Sequence, residues 1–429
     1  MRAARKSRPS VVRRYTAAVP TAALPSSTTC AVVGCGPAGA ILGFLLARAG
    51  IDVVVLEKHD DFLRDFRGDT VHPSTLELMD ELGLADEFLK LPHSRVSRVQ
   101  LQTTAGETLR LSLERLPTKF RFIAFMPQWD FLEFITRRAS SFPTFILLRS
   151  AEVTRLIERD GVIRGVVFRR DGLEHELHAL ITVGADGRTA VTRADAGLPL
   201  IETSPPIDVL WFRVSRRPDE VEAVAGRLGA GRLMVMLNRN EYWQVAFVIA
   251  RGQADAIRAR GLDEFRREVV AVAPELAGRV QEIRTWDDVK LLVVRVDRLQ
   301  RWYRRGYLAI GDAAHAMSPI GGVGINVAIQ DAVVAANALW LPLSQGEVGE
   351  GVLASVQRRR QRQVRLIQSF QTFVQERFLK PTLESRRTPS IPWLVRALLS
   401  TPILRDIPPR LIALGFNRPH IESPARDRR

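Results

Sequence analysis

The chain has 429 residues, 46% apolar and 25% charged, which is ordinary for a folded globular protein and ample for a sizeable core. Its formal net charge of +15 is carried by the ends: residues 1–14 hold +6 and residues 355–429 hold +11, leaving the body at −2, so a nucleic-acid-binding body is excluded and no nucleic-acid partner is expected. The two cysteines, Cys30 and Cys35, exclude a disulfide framework and fit a reducing compartment, making the cytoplasm the expected location.

Residues 1–28 lack a periodic apolar face and a long apolar stretch, as expected of a disordered leader rather than a secretion signal. Residues 29–204 open with CAVVGCGPAGAILGFLLARAG, which reads as strand, Gly-rich turn and buried helix, and IDVVVLEKH is the next strand. HPSTLELMDELGLADEFL is a helix with Leu76, Met79 and Leu82 on one face and Pro73 in its first turn. Residues 96–113 read as a β-ribbon turning at Ala105-Gly106, and MPQWDFLEFITRRAS as a helix. Short strands with Asp-Gly turns come next, ending in a buried strand at GADG.

Residues 205–295 change character. VLWFRVS, RLMVMLN, YWQVAFVIA and VKLLVVRV predict a separate, mostly antiparallel sheet, with one helix at LDEFRREVVAVA. Residues 296–345 return to a strand, RGYLAIGDAAH, and an apolar helix, GINVAIQDAVVAANALWLPL. Residues 346–429 form a C-terminal helical segment and basic tail, a candidate for peripheral contact with an anionic membrane. There, Val356, Val364, Ile367, Phe370, Val374 and Phe378 make an apolar stripe, the face a helix ordinarily buries. No run of 18 apolar residues is free of charge and proline.

Three motifs carry chemistry. In GCGPAG, Gly34 permits a tight turn, Gly36 lets the backbone approach a pyrophosphate, and Gly39 lets helix pack on strand. Pro37 and Ala38 open that helix, whose N-terminus favours phosphate, and Glu57, beside Lys58, ends the second strand where a carboxylate accepts ribose hydroxyls. The second motif, Gly184-Ala185-Asp186-Gly187, ends a buried strand on a carboxylate, with Arg188 and Arg193 after it. The third runs Gly311-Asp312-Ala313-Ala314-His315, then Pro319, Gly321, Gly322, Gly324, Ile325 and Asn326. Asp312 is placed for a ribityl hydroxyl, and the glycines bring backbone N–H groups against a planar ring at a helix start.

These motifs, at these separations, resemble the class A FAD-dependent aromatic-ring hydroxylases, which have the p-hydroxybenzoate hydroxylase fold and include the ubiquinone-biosynthesis hydroxylases. The resemblance covers residues 29–345 and, more weakly, the tail to 421. It implies an α/β fold: a Rossmann-like FAD-binding domain with an inserted antiparallel substrate sheet and a C-terminal helical segment. It implies non-covalent FAD, NADPH or NADH as a transient co-substrate, O2, and a small aromatic, quinone-like, polyketide-type or olefinic substrate hydroxylated or epoxidised through a C4a-hydroperoxyflavin. A second GxGxxG unit for the nicotinamide is not visible.

Carried over residue by residue, Arg67 matches an arginine on the ADP side of the flavin and Gln128 a helix glutamine touching the cofactor. Asp186 matches the acid linked to both FAD and NAD(P)H, Asp312 the ribityl ligand, and Pro319 the proline beside the C4a edge. Gly324 and Asn326 match ring-contacting positions. Val323 and Ala190 depart from the family pattern, where Gln or Lys and Ser are common. Candidate catalytic residues are Pro319, Arg213 and His72: Arg213 is a charge among apolar neighbours on the inserted sheet, and His72 sits on the loop that passes near the ring in the family. Trp211, Met234, Met236, Tyr242, Trp243 and Lys290 lie on the same sheet, either alternating side of which can line a pocket. His315 reads as loop-structural. Metal ligands are not expected. Competing readings are a flavin dehydrogenase or reductase, a redox-neutral cyclase on the same fold, or a flavin-bound binding protein whose basic ends contact lipid or RNA.

Overall fold

The apolar run at Cys30–Val33 lies in strand β1 (Ser27–Val33), which starts two residues earlier than the sequence suggested. The structure, a computed structural model, describes residues 24–63, 70–217, 219–220, 224–229, 231–385, 401 and 404–426. Most of the expected leader and Arg67 lie outside the described residues. β1 pairs in parallel with β2 (Val53–Leu56) on one side and with strand Leu173–Gly184 on the other. Beyond these, Phe145–Leu148 pairs with β2 and Tyr307–Ala309 with Leu173–Gly184, both in parallel. Strands covered on both faces read as unbroken apolar runs, as VVVL in β2 does.

Helix α1 (Pro37–Arg48) packs against this sheet, and the helix Gly324–Ser344 packs along α1. The latter is long and apolar enough to cross a membrane by composition, yet it is mostly buried within the protein.

The inserted sheet has seven strands, in the order Lys290–Leu292, Ile207–Ser215, Tyr242–Ala250, Arg232–Asn238, Val224–Gly229, Arg98–Thr103 and Thr108–Ser112. It is therefore not confined to residues 205–295. The ribbon at 98–112 joins it through a parallel pairing of Val99 with Val224 and Leu101 with Gly226. Local periodicity reveals a strand but not its distant partner, so this membership was not legible in the sequence. One face of the sheet packs Phe212 and Phe247 edge-on against Phe265 of the helix Leu262–Val272, at 5.7 and 5.4 Å. Met234, Met236 and Trp243 lie on that covered face, which removes them as pocket-lining candidates. The opposite face carries Val209, Trp211, Leu233, Ala246 and Val248 and meets Ile320 of the third motif.

The C-terminal helix Glu350–Val374 corrects the apolar-stripe expectation. Val356 and Val364 are buried, but Phe370 is 38% and Phe373 57% exposed. The buried face is instead largely polar: Gln357, Arg360, Gln363, Gln368 and Gln371, continued by Gln375 in a π-helical turn, Gln375–Leu379. The reason is the surface beneath it, which is irregular backbone needing partners. Gln357 accepts from Trp302 N–H (3.0 Å) and donates to Gln300 O (2.8 Å). Gln368 donates to Asp297 O and Ala316 O.

Arg360 reaches Asp331 of the helix Gly324–Ser344, its Nε–H donating at 2.7 Å. The same fully buried carboxylate accepts from His315 Nε2 at 2.6 Å and from Gly311 N–H at 3.0 Å. Burial opposes ionisation of Asp331, but the His315 and Arg360 side chains outweigh it and hold the carboxyl below its ordinary value. Asp331→Asn leaves Arg360 buried without its counter-charge, so urea denaturation of the apo protein is expected to show a loss of roughly 3–5 kcal/mol. A loss below about 1 kcal/mol would mean that the network is dispensable to stability.

Candidate cofactor and substrate site

The three motifs leave the carboxyl ends of adjacent parallel strands, and the register aligns them. Val33 stands beside Leu56 on one side and Gly184 on the other, and Gly184 stands beside Ala309. The hydrogen-bond ladder continues one step past the strands: Gly34 N–H donates to Leu56 O (2.7 Å), Ala185 N–H to Val33 O (2.8 Å) and Ile310 N–H to Gly184 O (2.9 Å). Motifs separated by some 150 and 125 residues of sequence thus form one row at the crevice where open α/β sheets bind ligands.

The three glycines of the first motif divide their labour. Gly34 has φ +96°, and a Cβ there would meet Ala185 O at 2.5 Å, so the turn lies directly on the second motif. A Cβ at Gly39 would stand 1.9 Å from Gly34 O, so helix and turn are in backbone contact. A Cβ at Gly36 would meet nothing within 4 Å. The fold itself does not require glycine there, and the space in front of that backbone is open. Pro37 and Ala38 come next at the start of α1, ahead of its first intrahelical bond, Ala40 N–H to Gly36 O. Glu57 is buried at the end of β2, accepting from Cys35 N–H (3.0 Å) and His59 N–H (3.1 Å), while Lys58 points to solvent. Both cysteines are free and buried, and burial pushes the Cys30 thiol up to about 12.

Asp186 uses both carboxylate oxygens locally, on Thr192 N–H (3.0 Å) and Thr192 Oγ1–H (2.9 Å), and so starts the short helix Val191–Asp195. Burial raises its carboxyl above the ordinary value against these bonds. Asp312 is half-buried and receives Arg188 Nε–H at 3.1 Å. Arg193 binds the loops together, donating to Asp297, to Ala313 O (3.2 Å) and to Arg188 O (2.8 Å). The second motif already carried Arg193 in the sequence, but no motif marks its partner Asp297, which only the fold brings to it.

In the third motif, Pro319 opens a tight turn, Ile320–Gly322, closed by Gly322 N–H on Pro319 O (3.0 Å). Gly324, Ile325 and Asn326 are the first turn of the next helix, and Val323 is buried at its cap. The Asn326 side chain is fully engaged in protein: its Oδ1 accepts from His72 N–H (2.9 Å) and Thr75 Oγ1–H (2.8 Å), and its Nδ2 donates to Thr70 O (3.1 Å). The Asn326 side chain is therefore an organiser of the loop at Thr70–Thr75. Thr70 Oγ1–H also donates to Gly322 O (2.8 Å). Gln128 starts the helix Gln128–Ala139, partly exposed.

His72 is fully buried at the cap of the helix Pro73–Glu81. Its Nδ1 lies 2.8 Å from Ile412 O, which makes Nδ1 the protonated nitrogen of the neutral ring. Its Nε2 is buried and has no partner among the described residues. Burial lowers its pKa to about 4 against the Ile412 hydrogen bond. Ile412 belongs to the helix Ile407–Leu414, so the C-terminal segment lies against the site, with Ile412 also near Gly321. Arg213 is exposed, over the Tyr242 ring at 5.1 Å, on the same face as Trp211 but one pair further along the strand. Thus Pro319, His72 and the third-motif glycines come together, while Arg213 stands toward the rim of the sheet. Lys290 is exposed on the edge strand.

A family model described as the FAD binding domain matches residues 27–370. The chain belongs to this family, that of the class A FAD-dependent hydroxylases. It is an oxidoreductase. The 6-methylpretetramide 4-monooxygenase of Streptomyces rimosus is 32% identical over 338 residues, 78% of this chain and 80% of the relative. The dialkyldecalin synthase of Streptomyces rugosporus is 29% identical over 318 residues, 72% of this chain and 64% of the relative. Among solved structures, PqsL of Pseudomonas aeruginosa, a probable FAD-dependent monooxygenase, aligns with TM-score 0.71 at 22% identity over 83% of this chain and 97% of its own, which shows a shared fold.

For this flavoprotein, Gly36→Val should fold with an unchanged apo melting temperature but purify without flavin. Gly39→Val should lose stability outright, because its side chain collides with Gly34 O. Normal flavin content in folded Gly36→Val would move the pyrophosphate elsewhere.

The lowered His72 pKa has a definite sign. The unfolded ring takes a proton near its ordinary value of 6.5, whereas the folded ring resists until about 4, so stability is retained above 6.5 and falls as the pH drops between the two. Urea midpoints at pH 7 and 4.5 should converge in His72→Phe relative to wild type. An identical pH slope in both proteins would remove the assignment.

Proposed function

We propose that this FAD-binding oxidoreductase is a monooxygenase that uses NAD(P)H and O2 to hydroxylate or epoxidise a small aromatic, quinone-like or polyketide-type substrate. The carrying observation is the arrangement of two surfaces. The row of cofactor motifs ends in the Pro319–Asn326 loop, and the apolar sheet face bearing Val209, Trp211, Ala246 and Val248 meets that loop at Ile320. The relative named for 6-methylpretetramide supports an aromatic, polycyclic substrate.

Bound FAD would supply the redox chemistry, taking a hydride from NAD(P)H and delivering activated oxygen to the substrate. The chain's own residues do the rest. Pro319 holds the backbone with a fixed φ and presents no N–H. The apolar wall excludes the water that would release oxygen as peroxide. First-turn N–H groups at Gly324, Ile325 and Asn326, with the helix dipole behind them, favour negative charge on the reduced ring. Arg213, at the rim, suits a polar or anionic substituent of the substrate, whereas His72 is neutral at pH 7 and keeps the ring-side loop in place.

A redox-neutral cyclisation is the second reading, favoured by the dialkyldecalin synthase among the relatives. The two separate on oxygen. Phenols, quinones and polycyclic aromatics are screened for stimulated NAD(P)H oxidation, and the product of a hit is formed under 18O2. Monooxygenation expects one labelled oxygen per NAD(P)H, and Pro319→Gly should raise H2O2 per NAD(P)H. Product formed without O2 uptake would replace monooxygenation by cyclisation, with the FAD assignment intact.

A further inference from the structure

Every backbone polar group from Ser318 to Ile320 has a partner, and a distant helix supplies most of them. Gln371 Oε1 accepts from Ser318 N–H (3.2 Å), and its Nε2 donates to Ser318 O (3.0 Å) and Ile320 O (2.9 Å). Gln375 Nε2 donates to Ser318 Oγ (2.7 Å), which also accepts from Ile320 N–H (3.4 Å). Pro319 has no N–H, and its carbonyl takes Gly322 N–H. Gln371 and Gln375 are each 2% exposed, so these bonds form away from water, where an unmade one is costly.

The rod that carries the glutamines changes its winding at this point. The α-helix Glu350–Val374 passes into the π-helical turn Gln375–Leu379 and then into Lys380–Glu384. A π turn adds a residue and rotates the helix beyond it, and such turns recur at functional sites. Here Gln375, at its start, meets Ser318, while Leu379 at its end and Leu383 beyond it pack against the sheet-face cluster of Val209, Leu233 and Val248, which Ile320 also joins. One rod therefore touches the Pro319 loop and the substrate roof.

We infer that Gln371 and Gln375 are positioning residues that hold the Pro319 loop at its setting against the flavin, with the π turn leading from this clamp to the roof contact. The inference rests on family membership and on this loop facing the flavin; it does not depend on monooxygenation. It is tested on the full chain with readouts that need no turnover: hydrogen exchange of residues 318–324 in the apo protein, FAD affinity by fluorescence titration, and the absorption spectrum and reduction potential of the bound flavin. Gln371→Leu should speed exchange in that loop about tenfold and weaken FAD about three- to tenfold, with a displaced flavin spectrum. Gln371→Glu, which keeps the acceptor for Ser318 N–H but sets a carboxylate oxygen against Ser318 O and Ile320 O, should move the readouts at least as far as Gln371→Leu. Gln375→Leu should move the same readouts in the same direction. Gln357→Leu removes a chemically identical clamp on Trp302 and Gln300, and should leave loop exchange and FAD affinity at wild-type values. Wild-type exchange in Gln371→Leu would overturn the inference. So would faster exchange with unchanged flavin affinity, spectrum and potential, which would make the glutamines the support of a loop that does not face the cofactor. Should Gln371→Leu fail to fold, Gln375→Leu carries the same comparison.

Discussion

The parallel register of four strand ends is the constraint on which the site depends. Leu56, Val33, Gly184 and Ala309 stand side by side, so the loops beyond them emerge in one row. Backbone N–H groups, Glu57 and Asp312 face the same crevice only because that row is kept. Its tolerance is small. The closeness of Gly34 to Ala185 O and of Gly39 to Gly34 O means that even one methyl group at either place would force the loops apart. Gly36, by contrast, is crowded by no protein atom.

Irregular backbone brought into a protein interior must find hydrogen-bond partners, and this fold supplies them from side chains far away in sequence. Arg193 spans the second and third motifs, Asp331 joins Gly311 and His315 to Arg360, and the glutamine face of Glu350–Val374 serves the loops around residues 297–320. This explains why a helix with an apparent apolar stripe turns its glutamines inward. An apolar face would have covered those loops without satisfying their carbonyls and N–H groups. Leu366, Phe370 and Phe373 are left partly exposed as a consequence of that orientation.

The inserted sheet has two apolar faces, and packing separates their uses. The face bearing Phe212, Met234 and Phe247 is closed by Phe265 and its helix, so it acts as core. The face bearing Trp211, Ala246 and Val248 is turned toward Ile320 and the end of the C-terminal rod. Of the two faces, this is the one that meets the third motif, at Ile320.

The sequence by itself determined the elements whose signal is local. Glycine spacing after an apolar strand, the acid at the end of β2, the GADG turn and the GDAAH–Pro–Gly–Gly–Asn run were each legible, because each chemical requirement is met within a few residues. They were sufficient for the cofactor class and the α/β fold. Tertiary structure alone decided what depends on partners distant in the chain. It drew the strands at 98–112 into the inserted sheet, chose which face of that sheet meets the loop at Ile320, and turned Gln371 rather than Phe370 inward. It also engaged both oxygens of Asp186 with Thr192 and the Asn326 side chain with His72, Thr75 and Thr70. The reason is that a side chain's type states what it can bond to, whereas the backbone groups it will meet are set only when the chain closes on itself.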